Sequence, residues 1–320
     1  MFNINNWFLI IILVILIVLI YFYYKKDSFQ NQEKIPKNIY VKLLWGICNR
    51  LRSIRKLYAY CLDNNINLYI IDNKTYNDTE KNAFPISIKD LLVNIPINII
   101  PENEIPKNVN NLINKDNGCE CKQPHLKDLY TDNVLLNCCD YLNDKYNNDN
   151  RFYKLMEKNI TLPNNIKNMI DKIKNYKAIG VHIRQGSVFD YYNKEFFGDK
   201  PSKENDEPYF CCFEDSSKNL SYCPKNAVAI DKFINKMNEF PKDKMFYVCS
   251  DRTGCILKLL QVFKDRLLYN PIIVHKKEID IMPDFYDWYC LQYCSEIITT
   301  WQSSYSGEAS ILNNIKRINA

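Results

Sequence analysis

The chain has little glycine and histidine, and its basic residues do not cluster. Only seven glycines and three histidines occur among its 320 residues. The formal net charge of +5 is spread along the chain without a dense block of lysine and arginine. A nucleic-acid-binding surface concentrates such residues on one element, so the composition argues against that function. In a chain this poor in glycine, each glycine marks a position where backbone geometry or close approach of a ligand demands it.

One long uncharged segment lies at the N-terminus. It runs from Trp7 to Tyr24, includes an unbroken aliphatic stretch, and is followed by Lys25 and Lys26. About 17 to 25 apolar residues cross a bilayer, so residues 1–24 are predicted to form a transmembrane anchor. Aromatic residues rather than small ones follow the apolar stretch, which favours an uncleaved anchor over a cleaved signal peptide. Residues 25–37 are predicted to form a short stem.

The 13 cysteines suggest an oxidising compartment, although an odd number leaves at least one thiol unpaired. Five of them lie in apolar or motif segments and are expected to be small buried hydrophobic residues: Cys48, Cys61, Cys249, Cys290 and Cys294. Two further groups lie in polar segments: Cys119, Cys121, Cys138 and Cys139, and separately Cys211, Cys212 and Cys223. Disulfides or free thiols are favoured there over zinc, because the CxC and CC spacings match no common zinc module.

Short apolar segments alternate with segments of helical periodicity, which predicts an α/β fold. The first unit consists of a strand at Ile39–Trp45, a helix from Asn49 to about Asp63 and a strand at Leu68–Ile71. This order predicts a parallel sheet. In the polar region that follows, a strand is predicted near Asn98–Ile100 and a helix near Leu126–Asn143.

The second half of the chain repeats this alternation. A polar insertion from Asn193 to Lys225 is expected to form a loop over the site. The alternation predicts two Rossmann-like domains, at 38–170 and 171–320. The elements predicted after the insertion are helices at Ala227–Asn238, Cys255–Phe263, Asp284–Tyr293 and Gly307–Ile315, and strands at Lys244–Cys249, near Pro271–Val274 and at Glu296–Thr300.

The segment from Ala178 to Gly186 gives the strongest local indication of a site. Val181 and Ile183 alternate with His182 and Arg184, so the apolar pair should lie on one face of a strand and the polar pair on the other. Ligands bind at the carboxyl ends of strands in open α/β sheets, and a guanidinium there suits a phosphate or carboxylate. The segment therefore predicts an anion site for a nucleotide-linked donor.

Four segments together resemble a known family. They resemble the GDP-fucose-dependent fucosyltransferase superfamily, which includes α1,2-, α1,6- and protein O-fucosyltransferases. The resemblance implies a GT-B architecture, a GDP-sugar donor and a glycan or glycoprotein acceptor. The segments, in chain order, are Gly46-Ile47-Cys48-Asn49-Arg50-Leu51-Arg52, Val181-His182-Ile183-Arg184-Gln185-Gly186, Ser250-Asp251 and Ser303-Ser304-Tyr305-Ser306.

The resemblance also implies roles for individual residues. Arg184 matches the arginine that binds the β-phosphate of GDP, where it would neutralise charge on the leaving diphosphate. His182 would orient Arg184 or contact the nucleotide, with a structural role as the alternative. Asn49 matches an asparagine that reaches the donor, with a helix N-cap as the alternative. The further donor-binding positions are Gly46, Arg50, Gly186, Asp251, Ser303, Ser304, Tyr305 and Ser306. For Asp251 and for the serine-rich turn before Glu308, helix capping is the alternative.

The sequence departs from the family pattern at two positions. Cys48 replaces the second glycine of the first motif, and Ser187 stands where many relatives have aspartate. A carboxylate base would then be Asp190 or Glu195, or would be absent. Two alternatives therefore stay open, a catalytically inactive glycan- or nucleotide-binding protein and a glycosyltransferase that uses another nucleotide sugar.

The chain contains no DxD motif, the element with which metal-dependent glycosyltransferases usually hold a divalent ion. A reaction without metal or other cofactor is therefore expected, by single displacement with inversion. The membrane orientation stays open. The positive-inside rule places Lys25 and Lys26 in the cytoplasm, whereas a glycan-modifying enzyme of the ER or Golgi would carry the residues after the anchor in the lumen.

Overall fold

The structure is a computed structural model, and its two main features are two five-stranded parallel sheets with helices packed against them. It describes residues 14–19, 21, 36–43, 46–72, 87–112, 120–121, 131–138, 140–141, 144–184, 214–215, 220–221, 228–270, 281–300 and 303–320.

The first sheet comes from the N-terminal half. The elements of this half are β1 (Asn38–Leu43), α1 (Ile47–Asn64), β2 (Asn67–Asp72), α2 (Ile88–Leu91), β3 (Asn98–Pro101), β4 (Asn110–Leu112), β5 (Glu120–Cys121), β6 (Asn133–Cys138) and β7 (Asp140–Tyr141). The strands of the sheet lie in the order β3-β2-β1-β6-β4, and every neighbouring pair is parallel.

The second sheet comes from the C-terminal half. The elements of this half are α3 (Arg151–Asn159), α4 (Asn164–Tyr176), β8 (Ile179–Ile183), β9 (Glu214–Asp215), β10 (Leu220–Ser221), α5 (Ile230–Asn238), β11 (Phe246–Ser250), α6 (Thr253–Phe263), β12 (Leu267–Tyr269), α7 (Ile281–Leu291), β13 (Glu296–Thr299), α8 (Ser304–Ala309) and β14 (Lys316–Asn319). The strands of this sheet lie in the order β12-β11-β8-β13-β14, and all neighbouring strands are again parallel.

Strand β8 shows how the sequence pattern sets the two faces of the second sheet. Val181 and Ile183 are fully buried in a core formed with α5 and α6. On the opposite face, a Cβ atom at Gly180 would lie 2.8 Å from Leu291 Cδ2 and 3.2 Å from Cys294 Sγ. A side chain at this position would therefore clash with α7, which explains the glycine.

The inner face of the second sheet continues into the core of the first. One buried cluster contains Val41 and Leu51 of the first sheet and its helix together with Trp288 and Ile297 of the second half. The two halves therefore share apolar surface, and polar residues at their junction are held in a packed environment.

The predicted α/β fold with parallel sheets is confirmed, but some elements differ from the prediction. The helix predicted at Leu126–Asn143 is wrong, since β6 occupies Asn133–Cys138 and pairs with β1. Val134 and Leu136 are both buried, and a short apolar run does not by its periodicity distinguish a buried strand from a helix. The last helix ends at Ala309 rather than Ile315, and the strand β14 that follows it was not predicted.

Several other predictions fall partly outside the described residues. The strand predicted near Pro271–Val274 lies outside them, and β12 precedes it at Leu267–Tyr269. The proposed boundary at 170/171 falls within α4, and the division into two domains stays a prediction.

Only a small part of the N-terminal apolar segment is described. Residues 14–19 and 21 are helical and exposed, whereas the rest of Trp7–Tyr24 and most of the stem lie outside the described residues. Among the residues that the structure describes, none of the helices combines the length and the apolar character needed to span a bilayer.

The five cysteines expected to be buried hydrophobic residues are buried and free, as predicted. Cys255, near the start of α6, is disulfide-bonded. The pairing of the cysteines in the polar segments stays a prediction.

Candidate functional site

Three neighbouring strands of the second sheet end together around Arg184. The Arg184 N–H donates to Thr300 Oγ1 at 3.0 Å, and the Thr300 hydroxyl donates back to the Arg184 carbonyl at 3.3 Å. The Asp251 N–H donates to the Ile183 carbonyl at 3.4 Å. The ends of β8, β11 and β13 are thus tied to one another, and Arg184 and Asp251 are exposed at this edge.

Arg184 has an exposed cationic side chain. Its side chain is exposed, and within the described part of the chain its guanidinium makes no ion pair or hydrogen bond. An exposed guanidinium at the carboxyl edge of a parallel sheet can take two oxygens of an anion at once.

His182 is buried below Arg184, with 5% of its surface exposed. Its ring stacks on Tyr305 at 4.6 Å between centroids and 17° between planes. Burial, and secondarily the charge of Arg184, lowers the pKa of His182 to about 3. His182 is therefore neutral near physiological pH, and its buried Nδ1 has no hydrogen-bond partner among the described residues.

The hydroxyls of the serine-rich turn divide into two groups. The Ser306 hydroxyl is fully buried, shares a hydrogen bond with Thr299 Oγ1 and donates to the Ser303 carbonyl at 3.3 Å. The Tyr305 hydroxyl donates to the Asp284 carbonyl. Ser303, the N-cap of α8, makes no side-chain cap hydrogen bond, and Ser303 and Ser304 are partly exposed. The Ser306 and Tyr305 hydroxyls are therefore engaged in hydrogen bonds inside the protein.

The first motif forms the beginning of α1. Gly46 is the N-cap residue, and its carbonyl accepts from the Asn49 N–H at 3.1 Å and the Arg50 N–H at 3.2 Å. Asn49 is therefore inside the helix, and the N-cap alternative for it is wrong. The same alternative is wrong for Asp251, because Arg252 is the N-cap of α6.

Arg50 and Arg52 point to different surroundings. Arg50 is buried, and burial lowers its pKa to about 10 while the nearby charge of Asp72 opposes that shift. Arg52 is partly exposed, and its Nη2 donates to Asn49 Oδ1. Its Nε lies 3.7 Å from Glu308 Oε1. Arg52 thus faces the second half of the chain.

Cys48 marks the place where the motifs of the two halves meet. Its thiol is buried, and burial together with the charge of Glu308 raises its pKa well above the ordinary value. The charges of Arg52 and Arg184 act on the same thiol in the opposite direction. Charges from α1, from the end of β8 and from α8 therefore all act on this thiol.

A buried ionic cluster that the sequence did not reveal joins the two halves. Arg55 of α1 donates from Nε and Nη2 to the two Glu308 carboxylate oxygens, at 2.9 and 3.1 Å. The Tyr153 hydroxyl donates to the same carboxylate at 2.7 Å. We call Arg52, Arg55, Tyr153 and Glu308 the Glu308 cluster. Burial alone would lower the pKa of Arg55, but the charge and hydrogen bonds of Glu308 raise it.

Three predicted site residues, Gly186, Asp190 and Glu195, lie outside the described residues, as does Ser187. Within the described part of the chain, no group of three or more histidine, cysteine, aspartate or glutamate residues is arranged to hold a metal ion.

A cavity of about 250 Å³ lies between α4 and the second sheet. None of its lining residues is a predicted site residue, so it is separate from the edge at Arg184. It is lined by Asn165, Ile166, Asn168, Met169, Lys172, Tyr247 and Asn270.

Comparison with known proteins gives structural likeness only. No protein-family model matches the sequence, and no curated protein is detectably similar to it in sequence. The chain is similar in structure to fucosyltransferases. With fucosyltransferase NodZ from Bradyrhizobium the identity is 15% and the TM-score 0.49, over 87% of this chain and 93% of NodZ. With POFUT1 in complex with GDP-fucose the identity is 9% and the TM-score 0.46, over 91% of this chain and 98% of POFUT1. At these values the likeness assigns no ligand or reaction, so the assignment below rests on this chain's own residues.

Proposed function

We propose that the protein is an inverting glycosyltransferase that transfers fucose from GDP-fucose to a hydroxyl of a glycan or protein, without a metal ion. One observation carries this proposal: segments distant in the sequence, which together resemble fucosyltransferase motifs, converge around Arg184. His182 stacks on Tyr305, Thr300 bonds to Arg184, and the charges of Arg184 and Glu308 both act on Cys48.

Arg184 would bind the diphosphate of the donor. When the glycosidic bond breaks, its electron pair leaves with GDP and negative charge grows on the phosphate oxygens. A guanidinium that is already in place, and that pairs with no carboxylate among the described residues, can stabilise that charge directly. This role replaces the divalent ion of metal-dependent glycosyltransferases, in agreement with the absence of a DxD motif.

The neighbouring groups would keep this cation in position. The two hydrogen bonds with Thr300 would fix the Arg184 backbone. The neutral His182 ring, which is stacked on Tyr305, would hold the end of β8 in place. An uncharged imidazole adds no second cation beside Arg184.

The transfer itself is a single displacement. The acceptor hydroxyl oxygen attacks the anomeric carbon, the bond to the phosphate oxygen breaks, and the hydroxyl proton passes to a base. Because this proton leaves late, a weakly basic carboxylate suffices, and we propose Asp190 or Glu195 for it.

The proposal is tested with purified full-length protein, GDP-fucose and a panel of glycan and peptide acceptors. We expect GDP release that depends on an acceptor, and a loss of GDP affinity of at least about tenfold in Arg184→Ala, since a hydrogen bond to a charged group contributes about 1.5–3 kcal/mol. Lys236→Ala is the matched control, because Lys236 is a surface cation paired with Glu239 and distant from the motifs in sequence. Unchanged GDP binding in a folded Arg184→Ala protein would contradict the assignment.

Cys48 supports a second candidate, a catalytically inactive nucleotide- or glycan-binding protein. A buried side chain stands at the junction of the halves, where the family pattern has glycine. This candidate predicts GDP binding that depends on Arg184 but neither transfer nor donor hydrolysis. Parallel titrations with UDP, ADP and CMP distinguish both candidates from a glycosyltransferase that uses another donor.

We further propose a single-pass membrane protein of the ER or Golgi, anchored by Trp7–Tyr24. The disulfide at Cys255 supports an oxidising compartment, because such bonds are rare in the cytosol. Protection of the C-terminal part from protease in intact microsomes is expected, and its digestion without detergent would contradict a luminal location.

A further inference from the structure

Arg52 links a residue of the candidate donor site to the opposite half of the molecule. Its Nη2 donates to Asn49 Oδ1, one turn earlier on α1. Its Nε lies 3.7 Å from the Glu308 carboxylate on α8. The Arg52 side chain, which is 25% exposed, thus contacts Asn49 in the first half and the buried carboxylate of Glu308 in the second.

The chemistry of the guanidinium determines which end of the Asn49 amide it meets. Arginine has five N–H donors and no acceptor, so only the amide oxygen of Asn49 can face it. This assignment follows from donor and acceptor character and does not depend on telling oxygen from nitrogen in the side chain. The Asn49 amide nitrogen, which is a donor, is then the end available to a ligand.

Glu308 places a negative charge at a fixed position beside Arg52. Its side chain is only 6% exposed. It accepts two hydrogen bonds from Arg55 and one from Tyr153. Arg55 is itself held by the carbonyl oxygens of Tyr146 at 2.8 Å and Asp149 at 3.0 Å. The carboxylate beside Arg52 is therefore held from several directions, and its position follows the packing of the two halves.

We propose that Arg52 is a positioning residue. Held by Glu308, it orients Asn49 so that the amide NH₂ donates to an oxygen of the donor substrate. The inference rests on the proposed function, and it adds the direction of the Asn49 hydrogen bond and the residue that sets it. Arg52 acts through Asn49 and does not itself contact the donor.

The test is a double-mutant cycle on donor binding, measured by titration of GDP and GDP-fucose into full-length protein. We expect Arg52→Met and Asn49→Ala each to weaken GDP-fucose binding by about tenfold or more. The double variant should be no weaker than Asn49→Ala alone, because Arg52 acts only through that residue. Additive losses would overturn the proposal, since they would show that Arg52 acts independently of Asn49.

Two further variants separate positioning from a structural role. Asn49→Asp keeps an acceptor for Arg52 but removes the donor, so we expect it to bind at least as weakly as Asn49→Ala. Arg52→Lys keeps a donor and a charge, so it should recover part of the affinity lost in Arg52→Met. Thermal unfolding of each variant provides the control, and loss of affinity only in proportion to loss of folded protein would refute the inference.

The outcomes also distinguish this inference from the proposed function. If wild type binds GDP-fucose and Arg184→Ala does not, while Arg52→Met binds normally, only the inference is wrong. If wild type binds no nucleotide sugar, the proposed function and the inference both fail.

Discussion

Replacing Glu308 should destabilise the protein far more than replacing an ordinary surface carboxylate. The Glu308 side chain receives two hydrogen bonds from Arg55 and one from Tyr153. Only 1% of the Arg55 side chain is exposed, so without the carboxylate a guanidinium would stay buried beside an unpaired hydroxyl. Breaking one side of a buried ion pair costs about 3–5 kcal/mol, a large part of the roughly 5–15 kcal/mol by which typical domains are stable.

The chain provides both a graded series and a matched control. Glu308→Gln keeps one carbonyl acceptor and should lose less than Glu308→Ala. Replacing Arg55 and Glu308 together by Met and Leu should cost less than the sum of the single changes, because neither charge is then left unpaired. Glu239→Gln is the control, since Glu239 is 62% exposed and pairs with Lys236 at the surface. It should cost about 0–1 kcal/mol.

Urea unfolding, followed by tryptophan fluorescence and by circular dichroism, measures these differences. The expected order of stability is wild type and Glu239→Gln, then Glu308→Gln, then Glu308→Ala. If Glu308→Gln were as stable as Glu239→Gln, the Glu308 carboxylate would contribute no more than a surface one. Strictly additive effects of replacing Arg55 and Glu308 would show that the two charges do not stabilise each other.

Three other predictions concern Gly180, Gly46 and His182. Gly180→Ala should destabilise the protein by about 1–3 kcal/mol in the same assay, because its Cβ would lie 2.8 Å from Leu291 Cδ2. Gly46→Ala should leave stability nearly unchanged or raise it by less than about 1 kcal/mol, because nothing lies within 4 Å of its Cβ and its φ is −65°. His182 has a pKa of about 3 when folded, against about 6.5 when unfolded. The unfolded chain binds more protons between these values, so stability should fall as pH drops below about 6.5, by up to about 1.4 kcal/mol per pH unit. Thermal unfolding across that range should show a weaker pH dependence in His182→Gln.

The alternation of apolar and polar residues predicted strand β8, because the two faces of this strand lie in different environments. Val181 and Ile183 face one buried core, whereas His182 faces Tyr305 on the other side of the sheet. The same reasoning failed at β6, where Val134 and Leu136 belong to a strand too short for its period to be distinguished from that of a helix.

The Glu308 cluster could not be predicted from local pattern. Arg55 and Glu308 lie 253 residues apart, and their contact follows from packing of the two halves. Arg55 lies at helical spacing from Leu51 in α1, and a charged residue at such a position indicates a buried partner. It did not indicate which carboxylate that partner would be.

Parallel titration of GDP and GMP into wild type and Arg184→Ala measures whether Arg184 binds the terminal phosphate of GDP. Wild type should bind GDP at least about tenfold more tightly than GMP, since the extra phosphate meets the guanidinium. Arg184→Ala should lose most of this preference while still folding. If the two proteins preferred GDP over GMP equally, or if wild type showed no preference, Arg184 would not be the residue that binds the terminal phosphate.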